Sequence, residues 1–295
     1  MSSLPAHRHA FNPQRRLALK ACASGVLLGA AGFSAPVWAQ QPLALSAAIN
    51  RAGRLRALSQ RMAKAYAQLV LELLPDRSNE VMAVAQNVVK ASLSELGRAG
   101  FSGEVANLLA ACTADAERLL GLVAGKPTAA RLAEVNKAAD QMLASADRLT
   151  AGLEGRGKSS AKIINIAGRQ RMLSQRIAKS FMLIEAGQDG ASLSKQLDTA
   201  RSEFVLAMDT LEAAPVSTPA IKQDLVLART QWMFYEKALD GKDKLIARRD
   251  VATTSERILE VMDSLTGLYD TALKELLGSV AYNDTRHAGL GHSAA

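Results

Sequence analysis

The residues best suited to chemistry form one constellation that the chain carries twice. Residues 50–64 read NRAGRLRALSQRMAK and residues 165–179 read NIAGRQRMLSQRIAK; at a fixed offset of 115 they agree at 11 of 15 positions. Gly53, Arg56 and Gln60 recur as Gly168, Arg171 and Gln175, and Asn50, Arg54 and Arg61 recur as Asn165, Arg169 and Arg176. Packing alone has no reason to keep so many polar and small residues, so the stretch reads as a duplicated site. A guanidinium presents a planar fork of donors that matches a planar oxyanion and holds its charge at any accessible pH. A neighbouring glycine lets a ligand approach the backbone closely. The chemistry implied is anion binding.

Other chemistries lack their residues. The chain has four His and two Cys. His7, His9 and Cys22 lie near the N-terminus and His287 and His292 in a Gly-containing tail, so the body offers no His for a triad, a zinc site or proton transfer. We expect no enzyme, no metal and no cofactor. Cys112, set among Leu108, Leu109, Ala111 and Ala114, reads as a small core side chain.

The elements that position the motif are helical throughout. Apolar spacings of three, four and seven predict helices over about 44–74, 78–96, 104–124 and 128–153, then 159–186, 193–214, 220–239 and 242–279, separated by Gly and Pro signals. No strand pattern appears. Residues 135–150 also match 251–266 in pattern, both closing on Leu-Thr. The chain is therefore all-α, two tandem up-down four-helix bundles of roughly 115 residues each. Gly152, Gly155 and Gly157 place a break between them.

On the first helix, Leu55, Leu58, Met62 and Leu69 share a core face, whereas Gly53, Arg56, Gln60, Ala63 and Ala67 fall on a second stripe, repeated by Gly168, Arg171, Gln175 and Ala178. Small residues there permit another helix to approach. Two such stripes brought together set guanidinium groups roughly 6 to 7 Å apart, a repulsion on the order of 2.5 kcal/mol at an effective dielectric of 20. No Asp or Glu precedes Glu72 and none lies between Glu154 and Glu185, so no acid near in sequence answers it, and a bound anion is the expected answer. Arg54, Arg61, Arg169 and Arg176 flank the core face and read as structural, pairing with acids on other helices while supporting the site with Asn50 and Asn165. Trp232, Phe234 and Tyr235 do not share one face and read as packing residues.

The N-terminus reads as an address. Arg15-Arg16 precede an apolar stretch and Val37-Trp38-Ala39, which resembles a twin-arginine export signal cleaved after Ala39. Residues 1–39 are then a signal peptide, 40–156 and 157–284 the two bundles, and 285–295 a flexible tail. Without residues 1–39 the chain keeps 32 basic and 28 acidic residues, too small an excess to argue for nucleic acid, and no apolar run long enough to span a membrane. The expected location is periplasmic.

The N-x-A-G-x-x-R core followed by S-Q-R resembles the N-terminal sensor domain shared by the type IV pilus chemoreceptor PilJ and the nitrate/nitrite sensor kinase NarX, here in two copies over about 44–153 and 159–279. The resemblance implies a periplasmic four-helix bundle. In NarX-like members it also implies nitrate held where two first helices meet, by the Arg of A-G-x-x-R and backbone near the Gly. Those positions are Gly53 with Arg56, and Gly168 with Arg171. Tandem copies would replace a homodimer's two-fold axis with a pseudo-two-fold inside one chain. The reading is a periplasmic sensor or binding protein for a small oxyanion, nitrate or nitrite first, signalling by contact with a membrane receptor or transporter. A second reading, from a different class, is a ligand-free periplasmic adaptor that pairs with a PilJ-like or NarX-like receptor.

Overall fold

Prolines open two of the helices, and Gly103, Gly155 and Gly187 lie at helix ends. The computed structural model describes residues 43–156 and 161–290, so the expected leader lies outside the described residues. Eight helices follow one another: α1 Leu45–Val70, α2 Pro75–Arg98, α3 Glu104–Val123, α4 Leu132–Glu154, α5 Ala161–Glu185, α6 Gly190–Glu212, α7 Pro219–Leu239 and α8 Lys244–Leu290. Pro75 and Pro219 open helices where a missing N–H costs nothing, and the Thr218 hydroxyl accepts from the Ile221 amide. Asp243 Oδ1 does the same for the amides of Leu245 and Ile246 at the start of α8. There is no strand among the described residues.

Helix α1 stops at Val70, four residues before the expected end. The Leu73 amide reaches back to the Gln68 carbonyl and Glu72 sits at φ 52°, the left-handed turn that closes a helix. Gly187, 115 residues later, makes the same closure at φ 80°. The second copy announces its stop with glycine; the first hides it behind a glutamate. Gly152, expected in a break, instead lies inside α4, where a Cβ would come 2.7 Å from Leu108 Cδ1 of α3. Its absence lets the two helices close up.

Within each half the first helix packs on the second and fourth, and the third on the fourth, giving one four-helix bundle from α1–α4 and one from α5–α8. The two bundles join chiefly through α1 and α5, which pack along much of their length. Both run antiparallel to α8: Arg54 and Arg61 reach Asp263 and Glu256, while Arg171 and Gln175 reach Asp263 and Ser255. Helices α1 and α5 are therefore parallel. Each is enclosed by its own bundle on one side and by its counterpart on the other, and residues 55–60 and 62–68 are all buried. None of the described helices is long and apolar enough to cross a membrane.

Candidate functional site

Arg56 and Arg171 are among the largest fully buried side chains, each 1% exposed. Helical side chains lean toward the N-terminus, so in a parallel pair each guanidinium reaches back over the other copy's start. Arg56 Nη2 donates to Asn165 Oδ1 at 2.6 Å and Arg171 Nη2 donates to Asn50 Oδ1 at 2.8 Å. The motif is thus read across the pseudo-dyad. A Cβ on Gly53 would stand 3.1 Å from Arg56 Nη2 and 3.7 Å from Arg171 Nη2; on Gly168 the same distances recur with the arginines exchanged. At both positions a side chain would crowd the guanidinium groups that lie over the glycine.

The expectation that these charges go unanswered inside the protein is corrected. Arg56 Nη1 donates to Asp147 Oδ1 at 2.9 Å and Arg171 Nη1 to Asp263 Oδ1 at 2.5 Å. The acids come from α4 and α8, some 90 residues downstream, and antiparallel packing returns them to the level of the motif. Burial pushes both guanidinium groups below their ordinary range, Arg171 to about 10, and their aspartates only partly offset it. Asp263 is pushed up by burial but pulled lower still by Arg171 and Arg54. Arg171 Nε has no partner among the described residues.

The remaining motif residues divide. Gln60 and Gln175 are buried, yet they turn to α4 and α8: Gln60 Nε2 donates to the Ala139 carbonyl and Asp140, Gln175 Nε2 to the Ser255 carbonyl, and neither Oε1 has a partner among the described residues. The structure does not bring them to the arginine pair. Arg54 holds both oxygens of Asp263, Arg61 holds Glu256, and Arg169 holds Glu203 at 2.8 Å with Asp147 at 4.0 Å. They pair with acids on other helices. Arg176 Nε is buried with no partner among the described residues. Trp232 stacks on Phe204, Tyr235 donates to the Ser174 carbonyl, and Phe234 is half exposed. Cys112 is buried, which raises its thiol to about 11.

Two residues of the repeat escaped the sequence reading. Lys64 and Lys179, its last matching position, are fully buried and cross between bundles. Lys64 Nζ donates to Ser255 Oγ at 3.0 Å and to Glu256 of α8; Lys179 Nζ donates to Asp140 of α4 at 2.6 Å. Burial lowers both ammonium groups despite these partners. Burial raises Glu256, but Lys64 and Arg61 together reverse this and hold it at about 2. The signal was present: the stretches 135–150 and 251–266 match at an offset of 116, which aligns Asp140 with Glu256 and Asp147 with Asp263.

The arrangement provides fixed, buried donors related across the pseudo-dyad, a geometry suited to recognition. Residues 155–260 match the PilJ family, described as the type IV pili methyl-accepting chemotaxis transducer N-terminal domain. The match covers α5, α6, α7 and the start of α8, and it is to a sensing rather than a catalytic family. No curated protein and no solved structure matches the chain.

Proposed function

We propose that this chain is a periplasmic sensor or binding protein for a small oxyanion, nitrate or nitrite first, held by Arg56 and Arg171 over Gly53 and Gly168. One observation carries the reading: the Nη2 atoms of both arginines stand within 4 Å of each glycine's absent Cβ, so a single planar anion could accept from both. Asp147 and Asp263, respectively half and about two-fifths exposed, are the internal carboxylates that such an anion must compete with. Binding would then exchange an internal partner for an external one and alter how α4 and α8 sit on α1 and α5. The change would leave by contact with a membrane receptor or transporter. The two bundles, 40–156 and 157–284, would act as the two halves of one sensor.

That competition supplies the test. Nitrate at about 100 times its dissociation constant stabilises the fold by roughly 2.7 kcal/mol, which in a chain this size raises the melting temperature by about 5 to 10 °C, against chloride at equal ionic strength. Arg56→Ala and Arg171→Ala abolish the shift and lower ligand-free stability. Asp147→Asn strengthens nitrate binding by about tenfold, since a charge-assisted competitor has gone. The ligand-free adaptor is favoured by the fact that each arginine already has an aspartate and an asparagine partner. It wins if neither nitrate nor nitrite shifts the parent or the Asp147→Asn variant.

A further inference from the structure

The duplicated halves differ beside the arginine pair, and a cavity lies where they differ. Backbones of α1 and α8 scarcely touch, and two ion pairs bridge the gap, Arg54–Asp263 at one end and Arg61–Glu256 at the other. Between them lies a cavity of about 200 Å³ with an apolar lining that includes Leu58, Val88 and Leu259. Glu260 also lines it and has no hydrogen bond or ion pair among the described residues.

The opposite flank shows what this place holds when it is filled. Helices α2 and α6 keep the offset of 115, with Ala85, Val89 and Leu96 buried at the positions of Ala200, Phe204 and Leu211. Val88 therefore corresponds to Glu203, which binds Arg169 at 2.8 Å. At the offset of 116, Glu260 corresponds to Ala144. One flank thus has its acid on the second helix, engaged by arginine, and an alanine on the fourth. The other has a valine on the second helix and an unengaged acid on the fourth.

We propose that this cavity binds a free α-amino acid with an aliphatic side chain. The ammonium would meet Glu260. The carboxylate would take N–H groups that the ion pairs leave over, since Asp263 uses only Nη2 of Arg54 and Glu256 uses Nε and Nη2 of Arg61. The side chain would lie on Leu58, Val88 and Leu259. Size agrees: a cavity of about 150 Å³ accommodates benzene, so this one, at about 200 Å³, suits a molecule of roughly eight heavy atoms, the size of valine, with leucine one atom larger. A lone anion would face three carboxylates on the wall, and a lone cation three arginines; a zwitterion satisfies both. The inference goes beyond an oxyanion at Arg56 and Arg171 and does not need one.

Calorimetric titration of the full chain with alanine, valine and leucine tests it, with 4-methylpentanoate and 3-methylbutylamine as one-headed analogues of leucine. The expected result is 1:1 binding of at least one amino acid, strongest for the larger side chains, with each analogue at least about tenfold weaker than leucine. Val88→Glu imports the second half's own ion pair, closes the cavity and abolishes amino-acid binding while Arg56 and Arg171 stay in place, so a nitrate response is read separately. Glu260→Ala gives the exposed position the residue that the first half already carries there, leaves the fold intact and reduces leucine to the level of 4-methylpentanoate. Failure of all three amino acids, equal binding of an analogue, or unchanged leucine binding in either variant overturns the proposal.

Discussion

Replacing Glu256 by Gln should cost this protein far more than the loss of one ion pair at a surface. Lys64 is fully buried and its ammonium has two hydrogen-bond partners, the Ser255 hydroxyl and Glu256. Glutamine preserves the shape but removes the counter-charge, leaving an ammonium sealed between the bundles. Breaking a buried pair from one side costs about 3 to 5 kcal/mol, which in a chain of this length lowers the melting temperature by roughly 6 to 20 °C. The penalty belongs to the orphaned charge, so adding Lys64→Met should return most of it, because a well-packed apolar replacement of a buried pair is often neutral. The variant should also regain stability in alkali. Burial lowers the Lys64 pKa in the fold, so between that value and its unfolded 10.5 the unfolded chain binds more protons, and stability rises with pH. Urea unfolding of the parent, both single variants and the double variant, followed by circular dichroism from pH 7 to 10, gives every quantity. A Glu256→Gln loss below about 1 kcal/mol, or a double variant as unstable as the sum of the singles, would refute the argument.

Acid should act through the same carboxylate. Glu256 is held at about 2 in the fold, so its contribution is complete above the unfolded value of 4.5 and is lost as pH falls through 2; the bound on it is about 3 kcal/mol. Part of this is offset by the cost of burying Lys64. Glu256→Gln should therefore show a shallower loss of stability between pH 5 and 2 than the parent, and equal slopes would count against the pairing. Gly168→Ala and Gly53→Ala should each destabilise by about 1 kcal/mol, although alanine normally favours a helix by about that amount, because the new Cβ stands 3.1 Å from a guanidinium nitrogen. Gly121→Ala, with nothing within 4 Å, should stabilise; the same sign at all three positions would show that the arginines do not lie over the glycines.

Much of the architecture could be read from residues alone. Periodicity and Gly-Pro punctuation located eight helices in order, and the repeated A-G-x-x-R placed Arg56 and Arg171 on a stripe that another helix could approach. Hydropathy marks a single apolar face, however, and α1 is buried on two. Its other buried positions include Arg56, Ser59, Gln60 and Lys64, polar residues whose burial a pattern of apolar spacing does not show. The partners of the two arginines were missed for a different reason. Asp147 and Asp263 are distant in sequence, and a search confined to the neighbourhood of each motif could not find acids that only antiparallel packing returns. Comparing the halves at the second offset would have exposed them. The helix end at Glu72 was hidden because the chain uses, in one copy, a residue that does not advertise a left-handed turn.

On the proposed reading as a sensor, the parallel meeting of α1 and α5 sets the way in which the chain would respond. Where two separate chains meet this way, their encounter depends on dilution, and a stimulus can act by bringing them together. Here both helices belong to one polypeptide, and Lys64 and Lys179 fasten each bundle to the other's fourth helix. The effective concentration of one half for the other is fixed by the tether and does not fall with expression level. Recruitment is therefore not a usable signal between these halves. What remains is a shift in register or tilt between partners already engaged, a response whose threshold would be the same in a cell with ten copies or ten thousand.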